Sequence, residues 1–330
     1  MDRRIGLIDR LNRAIVDSRH AGYVTHPMRD LLTQRVFQIA SAVFEAGTGA
    51  LVTAVLRPGK RPTGAENARI MKRVLRLSRH HWPQTHIPPR GDGHFASPEL
   101  MRLVIDDGHA DFIFGLAGNP VLSRNAEGLM RNARGHLELH RSLAAQGLGP
   151  AVGAVQMFGD FEYAAKSWPQ AFRVVLKAEV LAGLGGLSDK DNERFVVTTM
   201  RGPSPRALYQ QDYCGRGQAE NYIKQLKCDL KSDRTSASSF LANFARLLLT
   251  ASAYVLHQQL RQLALQDTVL ATAYPKTIIL SLFRIAARVK QYKDRVMLHL
   301  PASCPVKALL VPVCRRLYLN KKSSSMLASP

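Results

Sequence analysis

The spacing of apolar residues divides the chain into predicted helices and strands. Apolar positions recur at helical intervals over residues 5–41, which predicts an N-terminal helical region over residues 1–42. The pattern changes at Val43, where residues 43–59 predict a strand, a Gly-Thr-Gly turn and a second strand, that is, a hairpin. A basic amphipathic helix is predicted over residues 63–82, immediately before Pro83.

Strand and helix patterns alternate in the next part of the chain. An extended piece ends at Asp92, a helix begins at Ser97-Pro98, and "ADFIFGLAGN" is apolar enough for a buried strand. This alternation predicts an α/β core over residues 43–119. Pro88 and Pro89 count against a regular strand before Asp92, because proline has no N–H to donate to a ladder.

The second half of the chain is less regular. Residues 120–194 contain a possible helix, a loop-like stretch over 147–159 and a strand-like stretch, and we interpret them as an inserted subdomain. The core resumes over residues 195–265, where a helix around Glu220 precedes a helix that is apolar nearly all round and is therefore expected to be buried. Residues 266–330 predict a basic pair of helices and a tail.

The charge of the chain indicates a polyanionic partner. Lys and Arg number 46 against 25 Asp and Glu in 330 residues, which gives a formal net charge of +21. Nucleic acid is the leading candidate partner, and a charge that only aids solubility is the alternative. The bases concentrate in residues 57–90 and 268–330, an arrangement that suits contacts along a phosphate backbone.

Cysteine usage and hydropathy predict a cytoplasmic protein without a membrane span. The four cysteines show no C-x-x-C pairing and no His at zinc-finger spacing, which indicates free thiols in a reducing compartment. The first residues, "MDRRIGLIDRLNR", lack the apolar stretch of a signal peptide. The most apolar window, "LLLTASAYVL", is too short to cross a bilayer.

One segment, "YCGRGQAENYIKQLK", places chemistry-bearing residues on one predicted helical stripe. At 100° per residue, Tyr213, Arg216, Glu220 and Lys227 fall within an arc of about 60°. An acid among bases and a phenol suits a divalent ion beside a DNA backbone. A solvated face with i, i+4 ion pairs, such as Glu220 with Lys224, is the alternative that spacing leaves open.

The motifs resemble one family of enzymes. "Y-x2-R-x3-E-x6-K" is similar to the Tyr-Arg-Glu-Lys signature of one branch of the bacterial insertion-sequence DDE transposases. "RGDGHF" resembles the second-aspartate motif of that family, and "RIAARV" resembles its C-terminal signature. The resemblance extends from about Phe44 to Pro305.

The resemblance implies a fold, an activity and site residues. The implied fold is RNase H-like, a mixed sheet flanked by helices, and the implied activity is metal-dependent cut-and-paste movement of an insertion sequence. Three carboxylates in such enzymes hold two Mg²⁺ or Mn²⁺ ions. Asp92 would be the second acid and Glu220 the third, while Tyr213, Arg216 and Lys227 would contact DNA. The implied partners are transposon ends, target DNA and a second copy of the chain on paired ends.

The first aspartate of the family pattern is missing from the sequence. Residues 7–40 resemble the family's N-terminal helices, and residues 43–60 resemble the part of the family beyond the first-aspartate strand. We therefore expect an internally deleted transposase with an incomplete core, weakened ion binding and defective catalysis.

Two other functions stay open on the sequence alone. A non-catalytic DNA-binding remnant could occupy transposon ends or interfere with an intact enzyme. A basic RNA-binding protein is disfavoured, because no RNP-type aromatic motif is present.

Overall fold

The structure, a computed structural model, describes residues 38–58, 62–183, 187–237 and 239–326. The predicted helices of residues 5–37 lie outside this part of the chain. The chain forms two compact units, named here for their strands. The sheet unit is Arg61–Gln218, and the hairpin unit combines Met1–Lys60 with Ala219–Pro330.

The elements of the described residues are numbered in chain order. The strands are β1 (Gln38–Phe44), β2 (Leu51–Pro58), β3 (Arg90–Gly91), β4 (Ile113–Leu116), β5 (Ala154–Tyr163), β6 (Phe172–Leu181), β7 (Lys190–Thr198), β8 (Arg288–Gln291) and β9 (Val296–His299). The α-helices are α1 (Gly64–His81), α2 (Pro98–Asp107), α3 (Pro120–Ala145), α4 (Pro205–Ala207), α5 (Gly217–Lys224), α6 (Phe240–Ala264), α7 (Pro275–Ile278) and α8 (Lys307–Met326).

β1 and β2 form the predicted hairpin. They pair antiparallel from Gln38 opposite Pro58 to Phe44 opposite Leu51. In the turn, Gly49 has a φ of +74°, a conformation that favours glycine. The helix predicted through residue 41 is wrong from Gln38 onward, because pairing with β2 decides the conformation of a short segment more strongly than its own periodicity does.

The sheet unit is built on one five-stranded mixed sheet. The strand order is β3-β4-β7-β6-β5, in which β3 and β4 are parallel and the other neighbours are antiparallel. Helices cover the sheet, so the predicted RNase H-like α/β fold class is confirmed. The strands of residues 120–194 belong to this sheet, since β7 pairs with β4 as well as β6.

The two faces of the sheet bury different clusters. Phe112 and Phe114 stack at 5.0 Å in the larger cluster, where α2 and α3 pack. Ile113 lies between them in sequence and packs on the opposite face with Leu208 and Tyr209. Because successive side chains of a strand point to opposite faces, the strand gives each face apolar side chains against which helical segments pack.

The prolines before Asp92 fit the sheet without breaking its register. Ile87 donates its N–H to the His109 carbonyl at 3.1 Å, and its own carbonyl accepts from Asp111 at 3.2 Å. The Pro89 carbonyl accepts from the Ile113 N–H at 3.0 Å. Because proline keeps its carbonyl, β3 reaches Asp92 in parallel register with β4.

Two stretches differ from their sequence interpretation. Part of the loop-like stretch over 147–159 is strand, because β5 begins at Ala154 and pairs with β6 along its whole length. In the C-terminal region, the helix predicted over 277–296 gives way to the antiparallel hairpin β8–β9. α8 follows as predicted, and its Val313 packs with Leu265, the residue directly after α6.

The long apolar helix α6 forms as predicted, but it is not buried all round. Leu247 and Ala251 pack against Ala54 and Leu56 of the hairpin. The face away from the hairpin is exposed, and Leu249 is 73% accessible. The prediction of a fully buried helix is therefore wrong, because a two-stranded hairpin covers only one side of a helix.

α6 is also long and apolar enough, by length and composition, to cross a membrane. Buried helices of proteins without a membrane span pass the same test. α6 buries the polar residues Asn243, His257 and Gln258, which a span in lipid would have to satisfy internally. One such helix among the described residues does not indicate a membrane protein.

Candidate active site and DNA-contacting segment

Asp92 follows β3 directly and lies in a tight turn. Its Oδ1 accepts a hydrogen bond from the His94 N–H at 2.9 Å and lies 3.2 Å from the His94 ring Nδ1. The Phe95 N–H donates to the Asp92 carbonyl at 3.0 Å. The Asp92 side chain is 48% exposed, so the turn holds a carboxylate at the carboxyl end of the parallel pair β3–β4, where solvent reaches it.

The segment with the Tyr-Arg-Glu-Lys pattern is helical but not one uniform α-helix. Leu208–Tyr213 is a π-helix, Cys214–Arg216 is a 3₁₀-helix, and a second π-helix, Gln225–Asp229, follows α5. The stripe predicted at 100° per residue therefore does not apply, because each helix type has its own number of residues per turn. Gly215 and Gly217 are the sequence signal, since each weakens an α-helix by about 1 kcal/mol.

Tyr213 lies beside the backbone of Asp92. A Cβ atom built on Gly115 of β4 would lie 2.6 Å from the Tyr213 Oη, 3.0 Å from the Gly93 nitrogen and 3.3 Å from the Asp92 carbonyl carbon. The absence of a side chain at Gly115 is what lets these groups approach one another. The phenol predicted to contact DNA and the predicted second acid thus converge at the end of β4.

The Arg216 guanidinium stacks on the same phenol. Its Cζ lies 5.1 Å from the centroid of the Tyr213 ring, within the range of a cation–π contact. The ring of Tyr209 lies 5.5 Å from that of Tyr213. Burial raises the pKa of Tyr209 to about 12, so this supporting phenol keeps its proton at neutral pH.

Arg90 links the strand before Asp92 to the same helical segment. Its Nη1 donates to the Asp212 carbonyl at 2.9 Å, and its Nη2 lies 3.9 Å from the Asp212 carboxylate. Arg90 is not among the site residues predicted from the sequence. Its position two residues before Asp92, inside the "RGDGHF" motif, was the available signal.

Glu220 and Lys227 belong to the hairpin unit and are described within it. Glu220 is exposed in the first turn of α5, which continues directly from the 3₁₀-helix Cys214–Arg216. Lys227 lies at a small cleft lined by Leu226 and Leu247. Between them in sequence, Tyr222 packs against Phe44 with ring centroids 5.4 Å apart.

The described residues do not assemble a complete divalent-metal site. Nowhere in the described ranges do three or more His, Cys, Asp or Glu side chains gather as a metal site would require. The Asp92 carboxylate pairs with the His94 ring at 3.2 Å, whereas Mg²⁺ and Mn²⁺ prefer several oxygen ligands. Asp92 and His94 alone do not fit the ions that the family uses, and no reaction step follows from them.

The family assignment rests on most of the chain. The family model described as "Transposase DDE domain group 1" matches residues 41–322. The chain belongs to the DDE transposase family. No curated protein matches the chain.

Membership of the transposase family gives the basic chain a partner. Transposases bind DNA and generally use divalent metal ions to cut and rejoin it. The net charge of +21 agrees with a DNA partner, because each neutralised phosphate adds affinity through counterion release. In this transposase the sheet unit brings together Asp92, Tyr213 and Arg216, the residues that its motifs singled out.

Proposed function

We propose that this chain descends from a cut-and-paste insertion-sequence transposase and, in its present form, binds DNA without completing phosphodiester cleavage. The observation that carries the proposal is the position of β3, which leads directly into Asp92. Among the described strands, β3 pairs only with β4 and is an edge of the sheet. The strand that should carry the first acid has no counterpart at that edge in the described part of the chain.

An acid that completes the site would have to lie close to the edge strand β3. Two catalytic ions lie about 3.5–4 Å apart, so the acids that hold them must converge within a few ångströms. Neighbouring strands are about 4.8 Å apart, so an acid that shares an ion with Asp92 is expected on a strand next to β3. β4 (IFGL) contains no acid, and neither do the hairpin strands β1 (QIASAVF) and β2 (LVTAVLRP).

The aspartates that do lie on described strands have other partners. Asp160 of β5 accepts from Arg173 Nε at 2.6 Å. Asp191 of β7 accepts from Arg134 Nη2 at 2.5 Å. Neither strand neighbours β3, so neither residue is a substitute for the first acid.

Asp92 and Glu220 are the two acids of the family pattern that the chain retains, and we propose them as the remaining ligands for Mg²⁺ or Mn²⁺. In an intact family member the ions supply the charge that activates water and stabilises the leaving oxygen. Two carboxylates give fewer ligands and less negative charge than three. We therefore expect both ions to bind weakly to this chain.

The proposed DNA contacts come from the basic and aromatic residues of the same motif. Arg216 and Tyr213 form a stacked pair that can donate hydrogen bonds to phosphate oxygens, and Lys227 adds a point charge. Such contacts do not depend on the missing acid. The chain could thus occupy transposon ends in the cytoplasm, alone or as a mixed dimer with an intact enzyme.

A nicking assay tests this proposal. Supercoiled plasmid carrying candidate transposon ends is incubated with the wild type, the Glu220→Gln variant and a Glu138→Gln control in Mg²⁺ or Mn²⁺. Glu138 is an exposed acid on α3, outside the motif. We expect no nicking by any of the three proteins, together with salt-sensitive DNA binding by all of them.

Nicking by the wild type would contradict the proposal. Metal-dependent nicking by the wild type and by Glu138→Gln, lost in Glu220→Gln, would mean that another group completes the site. Calorimetric titration with Mn²⁺ gives a second test. Tight binding of two ions that disappears in both Asp92→Asn and Glu220→Gln would contradict the proposed defect.

A further inference from the structure

Arg90 joins the two elements that carry the motif residues of the sheet unit. It lies on β3, two residues before Asp92, and its side chain reaches the segment that carries Tyr213 and Arg216. The hydrogen bond from Nη1 to the Asp212 carbonyl spans 122 residues of sequence. This contact lies within two residues of Asp92 on one side and one residue of Tyr213 on the other.

The geometry around Arg90 favours an anchor over a surface charge. The Arg90 side chain is 25% exposed, so most of it is removed from solvent. Its partner is a backbone carbonyl at the end of the π-helix Leu208–Tyr213, where the chain changes to a 3₁₀-helix. A hydrogen bond to the backbone at that junction holds the segment itself, whatever rotamer the Asp212 side chain adopts.

Glycine at two positions makes room for this arrangement. A Cβ on Gly215 would lie 3.1 Å from Arg90 Nη1, and one on Gly115 would lie 2.6 Å from the Tyr213 Oη. The first glycine leaves space for the guanidinium and the second for the phenol. The segment is thus held by one hydrogen bond on one side and by close backbone approach on the other.

We propose that Arg90 is a positioning residue for DNA binding, which fixes the Tyr213–Arg216 pair against the strand that carries Asp92. The inference rests on the proposed function, in which Tyr213 and Arg216 contact DNA. Arg90 itself acts through the Asp212 carbonyl. A guanidinium suits this role better than an ammonium, because its planar fork presents Nη1 to the carbonyl while Nη2 faces the carboxylate.

The anchor is tested first on the free protein. Amide hydrogen exchange of residues 208–216 is compared between the wild type, Arg90→Gln, Arg90→Lys and the control Arg102→Gln, an exposed arginine on α2. We expect exchange in this segment to be about 10-fold faster in Arg90→Gln, intermediate in Arg90→Lys and unchanged in Arg102→Gln. Unchanged exchange in Arg90→Gln would overturn the inference, whether or not the chain binds DNA.

The role in DNA binding is tested by a double-mutant cycle. The affinity for a fluorescein-labelled 30-bp duplex of a candidate transposon end is measured for Arg90→Gln, Arg216→Gln and the double variant. If Arg90 acts through the segment of residues 208–216, each single change weakens DNA binding by about 5- to 10-fold. The double variant then binds DNA no more weakly than the weaker-binding single variant. A double loss equal to the product of the single losses would overturn the inference.

Two further outcomes separate this inference from its alternatives. A direct phosphate contact by Arg90 would lower the slope of log affinity against log salt by about 1 while leaving exchange of residues 208–216 unchanged, and would overturn the positioning role. Absence of salt-sensitive DNA binding by the wild type would overturn the proposed function itself. If the wild type binds DNA and the affinity loss of the double variant equals the product of the two single losses, the positioning role of Arg90 is overturned while the proposed function stands.

Discussion

The hydroxyl of Tyr254, on α6, donates a hydrogen bond to the carbonyl of Gly49, in the turn of the β1–β2 hairpin, at 3.0 Å. The same hydroxyl accepts from Gln258 Nε2 at 2.8 Å. Tyr254 is fully buried, and burial raises its pKa, so the hydroxyl remains a donor at neutral pH. A Cβ on Gly49 would lie 2.6 Å from the Tyr222 ring, so the turn is held between α6 and Tyr222.

Removal of this one hydroxyl should loosen the hairpin unit. In Tyr254→Phe, the Gly49 carbonyl and the Gln258 amide lose a buried partner, and we expect a loss of about 1–3 kcal/mol in the free energy of unfolding. Urea denaturation measures it. Tyr274→Phe is the control, because Tyr274 is 53% exposed and should change stability by less than about 0.5 kcal/mol. Equal stability of the two variants would show that the hydrogen bond contributes nothing.

A side chain at Gly115 should disturb the site through Tyr213. Gly115→Ala places a methyl group 2.6 Å from the Tyr213 Oη, and the displacement should cost about 1–3 kcal/mol of stability. Adding Tyr213→Phe removes that closest atom and should recover part of the loss, while the Gly93 nitrogen at 3.0 Å accounts for the rest.

The control for Gly115 lies on a helix of the same unit. A Cβ on Gly128, in α3, meets no atom within 4 Å, so Gly128→Ala should be neutral or stabilising by about 0.5–1 kcal/mol. Thermal denaturation of these three variants and the wild type makes the comparison. If Tyr213→Phe recovers nothing in the Gly115→Ala background, the phenol does not lie where the structure has it.

Elements fixed by local signals were predictable from the sequence. The capping box at Thr63 and Glu66 begins α1, and Ser97 caps α2 through the Leu100 N–H. The hairpin turn was predictable from Gly47 and Gly49, which flank Thr48. In each case, residues within one turn of one another decide the structure.

Features that depend on distant pairing were not predictable in this way. β5 is strand because β6 pairs with it, and α6 exposes one face because the β1–β2 hairpin and α8 cover other parts of its surface. The motif residues of the site were found from their pattern. Arg90 and Gly115 were not, because their role lies in contacts with Asp212 and Tyr213 that no sequence spacing reveals.

His257 should make the stability of the hairpin unit depend on pH. Burial lowers the pKa of His257 below its ordinary 6.5, so the unfolded chain takes up this proton before the folded chain does. The contribution of His257 to the free energy of unfolding is therefore complete above pH 6.5. It is lost as pH falls below 6.5, by at most about 1.4 kcal/mol per pH unit.

The pH effect is measured by urea denaturation at pH 7.5, 6.5 and 5.5. His257→Gln cannot titrate, so its stability should fall less over this range than that of the wild type. His136→Gln, an exposed histidine on α3, is the control and should follow the wild type. A wild-type profile that His257→Gln reproduces would assign the pH dependence to other groups.

Asp107 should stabilise the sheet unit through Arg79, whereas its neighbour Asp106 should not. The Asp107 side chain is only 10% exposed and accepts a hydrogen bond from Arg79 Nε at 3.0 Å. Arg79 also donates to the His109 carbonyl at 2.9 Å, so this ion pair joins the ends of α1 and α2. Asp107→Asn should cost about 1–3 kcal/mol at pH 7, and the exposed Asp106→Asn less than about 0.5 kcal/mol.

The pKa of Asp107, like that of His257, is lowered by folding, but the cause is a hydrogen bond that favours the charged form and not burial that disfavours it. The hydrogen bond from Arg79 holds the pKa of Asp107 below its ordinary 3.8, so the unfolded chain binds the proton first as pH falls. The contribution is complete above pH 3.8 and disappears as pH drops through the lowered pKa of the folded state. The stability difference between wild type and Asp107→Asn, measured by urea denaturation, should therefore be smaller at pH 2.5 than at pH 7. A difference that stays constant over this range would mean that the ion pair does not stabilise the junction of α1 and α2.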